Sequence, residues 1–88
     1  MASYRVALRP SVEKDLRRLP GSVVSRVFQR IERLKSRPFP PRSVKVAGAE
    51  GLYRLRVGDY RIIYGVDAPA GEIVIHYVRH RRDVYRGL

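Results

Sequence analysis

The segment GLYRLRVGDYRIIYGVD, residues 51–67, holds two β-rich runs, Leu52 to Val57 and Tyr60 to Val66, separated only by Gly58-Asp59. Glycine at the first of two loop positions marks a type II′ hairpin, because glycine takes the positive φ required there without a Cβ clash. A two-residue loop sets the register: Val57 faces Tyr60, Arg56 faces Arg61, Leu55 faces Ile62 and Arg54 faces Ile63. Side chains alternate along a strand, and directly opposed residues share a face. One side of the hairpin therefore collects Tyr53, Leu55, Val57, Tyr60, Ile62 and Tyr64, fit for burial, while the other collects Arg54, Arg56 and Arg61.

Working outward, Asp67 to Gly71 reads as a turn and Glu72 to Val78, with IVIHYV at its heart, as a third and strongly apolar strand. Arg79 to Leu88 is expected to form a short basic tail. On the other side, Pro38-Phe39-Pro40-Pro41 cannot continue a helix, so the residues through Gly51 read as an extended connection carrying Arg42 and Lys45. Before it, Ser22 is placed to cap a helix whose apolar stripe is Val24, Val27, Phe28, Ile31 and Leu34. A shorter helix, with Ser11 as its expected cap, Glu13 and Asp15 in its first turn and Val12, Leu16 and Leu19 at helical spacing, ends at Pro20-Gly21. Tyr4, Val6 and Leu8 alternate with Arg5, Ala7 and Arg9 as a first strand, which Pro10 stops. The order is β-α-α-β-β-β, an α+β domain spanning 1–88 in which a two-helix hairpin covers one face of an antiparallel sheet and the other face stays open.

Composition limits what such a domain can do. The chain has 88 residues, 44% of them hydrophobic, and a domain of this size buries roughly 60 to 65% of its unfolded surface, enough for one modest core. The absence of cysteine removes disulfides, thiolate nucleophiles and iron-sulfur clusters, and two histidines without clustered carboxylates argue against a metal site. No run approaches a membrane span and Met1-Ala2-Ser3-Tyr4-Arg5 lacks a signal peptide's apolar stretch, so a cytoplasmic location without membrane contact is expected. A formal charge of +11, carried by sixteen arginines and three lysines, suits an anionic partner, and arginine grips phosphate through a planar fork that lysine lacks.

The three hairpin arginines are the sharpest feature. Like charges directly opposed across a strand pair cost about 0.2–1 kcal/mol, so Arg56 against Arg61 makes poor sense as stabilisation alone, and a bound anion would relieve it. The plainer reading is a solvated outer face whose arginine stems cover apolar surface. Arg79, Arg81, Arg82 and Arg86, with His80 and Tyr85, emerge from the last strand where they can reach the same face; a frayed basic terminus is the plainer reading there.

GLYRLRVGDYRIIYGVD followed by IVIHYVRHRRDVY, residues 73–85, resembles the RelE branch of the RelE/ParE toxin superfamily, over nearly the whole chain. The resemblance implies the RelE-like fold, with a short C-terminal tail or helix. It also implies a type II toxin that enters the ribosomal A site, cuts mRNA without a metal or other cofactor, and is silenced by a cognate RelB-like antitoxin in a hetero-oligomer. By position, Arg54 and Arg56 match the family's two basic strand residues, Arg61 its motif arginine, and Arg81 and Tyr85 its C-terminal arginine and tyrosine; these five are the implied catalytic set. Lys45, Arg79, His80, Arg82 and Arg86 are the expected RNA-binding set.

The implied chemistry is attack of a ribose 2′-OH on the adjacent phosphate, which needs a proton acceptor, cations for the phosphorane and a proton donor for the departing 5′ oxygen. One departure matters: the best-known pattern has lysine at positions 54 and 56, whereas arginine stays protonated at any ordinary pH and is a poor general base. Either electrostatics and positioning carry the reaction, or the base is Tyr85 or His80. Two other classes share these features: a ParE-like inhibitor of DNA gyrase, and a basic RNA-binding protein of the same fold that cuts nothing.

Overall fold

The computed structural model describes residues 3–84. The elements are β1 (Arg5–Leu8), α1 (Pro10–Arg17), α2 (Gly21–Leu34), β2 (Val44–Lys45), β3 (Leu52–Val57), β4 (Tyr60–Asp67) and β5 (Glu72–His80). They build one five-stranded sheet in the order β1-β5-β4-β3-β2. The sheet is antiparallel except at one edge, where β1 runs parallel to β5 with Arg5 opposite Glu72 and Leu8 opposite Ile75; the two helices carry the chain from β1 to β2 at the opposite edge, and β2 to β5 return it strand by strand. The expected α+β architecture, a two-helix hairpin on an antiparallel sheet, is present, with β1 added as one parallel edge strand.

The β3–β4 hairpin has the register read from Gly58-Asp59, from Val57 opposite Tyr60 to Arg54 opposite Ile63. Gly58 has φ +60° and no residue other than glycine has positive φ among the described residues, the type II′ combination. The remaining elements shift the sequence picture in five places. The connection before β3 contains a two-residue strand, with Val44 opposite Arg54 and Lys45 opposite Tyr53. β5 runs to His80, so Arg79 and His80 are strand residues and not tail. Neither serine caps a helix: α1 starts at Pro10, whose fixed φ suits a first helical position, and α2 at Gly21 after Pro20. On α2, Val23 joins Val27, Ile31 and Leu34 in the buried stripe, while Phe28 is 41% exposed. The face away from the helices is partly covered too, because Val46 and Val84 bury Ile63 there.

The main core lies between helices and sheet, joining Val12 of α1 and the α2 stripe to Leu55, Val57, Ile62, Tyr64, Ile73, Ile75 and Val78. Each such side chain, removed from water, contributes about 1.5–3 kcal/mol of gross transfer free energy. Two local devices control what stands on the surface. Between β4 and β5, Ile63 opposes Tyr77 and Tyr64 opposes Ile75, so His76 is the extra residue of a β-bulge. Beyond Leu8, β1 no longer covers β5, and α1 takes over: the Ser11 hydroxyl donates to the His76 carbonyl at 2.7 Å and the Asp15 carboxylate accepts the Val78 N–H at 3.0 Å. Ser11 and Asp15 are four residues apart, hence on one helix face, and they satisfy a strand edge that would otherwise be left without partners. No helix among the described residues is long and apolar enough to cross a membrane.

Candidate functional site

The register carries a row of arginines across three strands. Arg56 of β3 is opposite Arg61 of β4, and Arg61 is opposite Arg79 of β5. The neighbouring row on the same face is Arg54, Ile63 and Tyr77. Arg56 Nε donates to the Gly58 carbonyl at 3.2 Å, and Arg61 Nη1 donates to the carbonyls of Gly58 and Tyr60, both at 3.0 Å. The two opposed guanidinium groups thus converge on one turn carbonyl. That oxygen offsets part of their repulsion by accepting from both, and it holds them in a fixed pair.

Arg79 is held differently. Its Cζ lies 4.0 Å above the Tyr77 ring centroid, and its Nε is 3.5 Å from Asp15 Oδ1. The aromatic face, its neighbour two residues away on the same side of the strand, and the carboxylate from α1 together set where this cation stands.

A basin of about 440 Å³ opens over the sheet, lined by Arg42, Arg54, Arg56 and Arg61. Arg42 is the member that sequence reasoning did not place there. It lies in a turn closed by Ser43, whose N–H and hydroxyl both donate to the Pro40 carbonyl at 2.9 and 2.8 Å. The turn is anchored in turn by Tyr64, which donates to the Pro38 carbonyl at 2.8 Å, and by Phe39, edge-on to Tyr53 at 4.9 Å. Val44 opposite Arg54 completes the placement. A proline-rich linker followed by an arginine is the sequence signal, but a two-residue strand has too little periodicity to reveal the pairing.

Of the expected site residues, Arg54, Arg56 and Arg61 come together, with Arg79 beside them in register. Lys45 does not join them: it is opposite Tyr53, in the register of the helix-covered face, and lines a separate depression with Glu50. His80 is opposite Tyr60, the ring pair edge-on at 5.4 Å, and lines a cleft with Asp15, Leu19, Tyr60 and Asp83 on the helix side. Its Nδ1 accepts the Arg82 N–H at 3.2 Å. Arg81 and Arg82 are exposed in the turn after β5, where the Arg81 N–H donates to the Asp59 carbonyl at 2.8 Å. Tyr85 and Arg86 lie outside the described residues.

His76, at the bulge, has its pKa lowered from the ordinary 6.5, first by burial and then by the adjacent Arg9, whose Nη1 is 3.2 Å from Nδ1. Its Nε2 stands beside Gly65, two residues along β4 from Ile63 and so on the sheet face that carries the arginines. The Tyr64 hydroxyl is raised above its ordinary 10.0, chiefly by burial.

Chemically, the basin offers permanent positive charge and directional N–H donors at one site on a flat surface, and none of its four lining groups accepts a proton at ordinary pH. That is an anion-stabilising arrangement, suited to a phosphodiester lying across strands.

A profile of the family described as "ParE toxin of type II toxin-antitoxin system" matches residues 6–85. Toxin RelG of Mycobacterium tuberculosis is 32% identical over 87 residues, covering 94% of this chain and 97% of that protein. The RelE of an archaeal RelE–RelB complex from Pyrococcus horikoshii superposes with a TM-score of 0.79 at 33% identity, covering 90% of this chain and 96% of that one. The isolated RelE toxin of E. coli has the same fold, with a TM-score of 0.76 at 18% identity and coverage of 98% and 100%.

Proposed function

The chain belongs to the RelE/ParE superfamily of type II toxin-antitoxin toxins, and from that premise we propose that it is a ribosome-dependent mRNA endonuclease, held inactive by a RelB-like antitoxin. The basin lined by Arg42, Arg54, Arg56 and Arg61, with Arg79 next to Arg61 in register, is the observation that carries the reading.

In the proposed reaction the 2′ oxygen bonds to the adjacent phosphorus, giving a phosphorane whose added negative charge is met by the guanidinium groups of Arg54, Arg56 and Arg61. The bond to the 5′ oxygen then breaks, that oxygen is protonated, and the products are a 2′,3′-cyclic phosphate and a 5′-OH; no water is consumed. Fixed arginines do what preorganised donors do elsewhere, which is to stabilise developing charge without reorganising at the moment of reaction. Removal of the 2′ proton falls outside what the basin arginines can do, and Tyr85 is the residue the family resemblance offers for proton transfer. Arg81 is the further cation of the proposed set, and Arg79, Arg82 and Arg86 bind RNA. Lys45 and His80 would contribute at a distance from the basin.

The test is primer extension on an mRNA bound to ribosomes with an open A site. Wild type should cut within the A-site codon, and Arg61→Ala should cut about 10²–10³-fold more slowly, the usual cost of deleting one charge-stabilising donor. Unchanged cleavage by folded Arg61→Ala would sink the site assignment. The ParE profile match favours a second reading, inhibition of DNA gyrase. Absence of cleavage by wild type together with loss of supercoiling by purified gyrase would select it.

A further inference from the structure

The arginine basin does not end at the sheet. Arg42 lines it and also lines a second depression, of about 290 Å³, between the C-terminal half of α2 and the proline linker. There Arg30, Arg33 and Arg37 stand with Arg42 around a floor that includes the buried Leu34 and Leu55. A spacing of three residues puts Arg30 and Arg33 on one face of α2, and Arg37, beyond the end of the helix, is tied to it by its N–H, which donates to the Arg33 carbonyl at 3.1 Å. Four arginines line each depression and Arg42 is shared, so seven distinct arginines follow one another from helix to sheet, and no carboxylate lines either depression among the described residues.

We propose that the groove on α2 is a second binding segment for a single RNA strand, continuous through Arg42 with the basin, and that it takes the strand without regard to sequence. The inference rests on the functional reading above for the identity of the basin's occupant. Its own support is the shape and chemistry of the groove. Grooves that track single-stranded nucleic acid combine cations for the backbone with apolar or planar surface for ribose and base faces, and this one offers guanidinium planes beside Pro40 and the exposed Pro41. Arginine's fork matches phosphate oxygens two at a time. An acidic protein segment would also meet the charge. The succession of guanidinium groups into a basin lined by arginines alone instead matches a polyanion whose charge repeats along its length.

The experiment uses the full chain with Arg30→Gln, Arg33→Gln and Arg37→Gln combined, since glutamine keeps most of the stem and a good helix propensity. Fluorescence anisotropy over a salt series is read with labelled oligouridylates, one a dinucleotide that fills only the basin and one several nucleotides longer. For the longer probe the slope of log affinity against log salt should fall by about 2, three cations at about 0.7 each on a single strand, while the dinucleotide slope stays as in wild type. An unchanged slope for the longer probe, or equal losses for both lengths, overturns the proposal. So does an equal loss of affinity for poly-glutamate of matched charge, which would make the groove a surface for acidic protein.

On programmed ribosomes the triple variant should raise KM with little change in kcat. If that effect disappears on an mRNA ending just beyond the A-site codon, the strand in the groove is the mRNA that fills the basin, as proposed; if it persists, the groove holds ribosomal RNA and the single continuous strand is overturned. Wild type that binds the longer probe with the full slope yet cuts nothing would remove the endonuclease reading alone.

Discussion

Asp15→Ala should cost the fold about 2 kcal/mol although it removes only one short side chain from a helix. Asp15 is 8% exposed and its Oδ2 accepts the Val78 N–H at 3.0 Å, while Val78 itself is 1% exposed. β1 has ended by this point, so no strand stands ready to replace the acceptor, and water reaches the amide poorly. A hydrogen bond to a charged group contributes about 1.5–3 kcal/mol, and an orphaned buried donor costs a similar amount. The total stability of a chain this long is about 4–13 kcal/mol, so the loss is a large share of it. At about 4–8 °C per kcal/mol for a small domain, the melting temperature should fall by about 10 °C or slightly more. Asp15→Asn keeps a carbonyl for Val78 and loses the charge facing Arg79, so about half the destabilisation should remain. Thermal and urea unfolding followed by circular dichroism measure the size. Hydrogen exchange at Val78 measures the cause, because only the loss of this acceptor accelerates that amide ahead of its neighbours on β5. Alanine and asparagine variants both within about 0.5 kcal/mol of wild type, the range of ordinary surface substitutions, would refute the reasoning.

Three further outcomes are expected. His76 protonates at a lower pH in the folded protein than in the unfolded chain, so the unfolded chain binds the proton first; its stability contribution is complete above 6.5 and is lost as pH falls through 6.5 toward the folded value. Denaturant midpoints between about pH 5 and 8 should therefore decline less on acidification in His76→Gln than in wild type, and parallel curves would contradict this. Tyr64→Phe removes the buried donor to the Pro38 carbonyl and should destabilise by about 1 kcal/mol in urea titrations; an unchanged midpoint would show that this hydrogen bond contributes nothing to stability. Gly58→Ala places a Cβ 2.7 Å from Arg26 Nη2, the far end of a flexible side chain that can swing away, so the remaining cost is the left-handed backbone at φ +60°, about 1–2 kcal/mol by the same assay.

The hairpin that organises the site was readable because everything about it is local. Gly58-Asp59 specifies the turn, the turn specifies the register, and strict alternation then places Arg54, Arg56 and Arg61 on one side. Arg79 escaped that reasoning. Its membership of the row depends on how β5 pairs with β4, and the bulge at His76 breaks the alternation along β5 that a sequence reading would extrapolate. The polar pair Arg79-His80 also resembles a tail until Asp15 and Tyr77 are seen to hold Arg79, and Tyr60 to pack against His80. The two serines expected as helix caps show the same competition between local preference and tertiary demand. Ser11 donates to β5 instead, and proline supplies the helix start. Lys45 was grouped with the arginines by charge, and its opposition to Tyr53 sets it on the other face.

The excess of arginine is composition, and element order and the two-sided hairpin follow from interactions between residues a few positions apart, whose geometry the chain's own covalent periodicity dictates. The parallel seating of β1, the delivery of Arg42 to the basin and the joining of helix and sheet arginines into one track depend on contacts between segments far apart in sequence. No local pattern encodes such contacts, because each exists only once the buried faces of helices and sheet have chosen their partners.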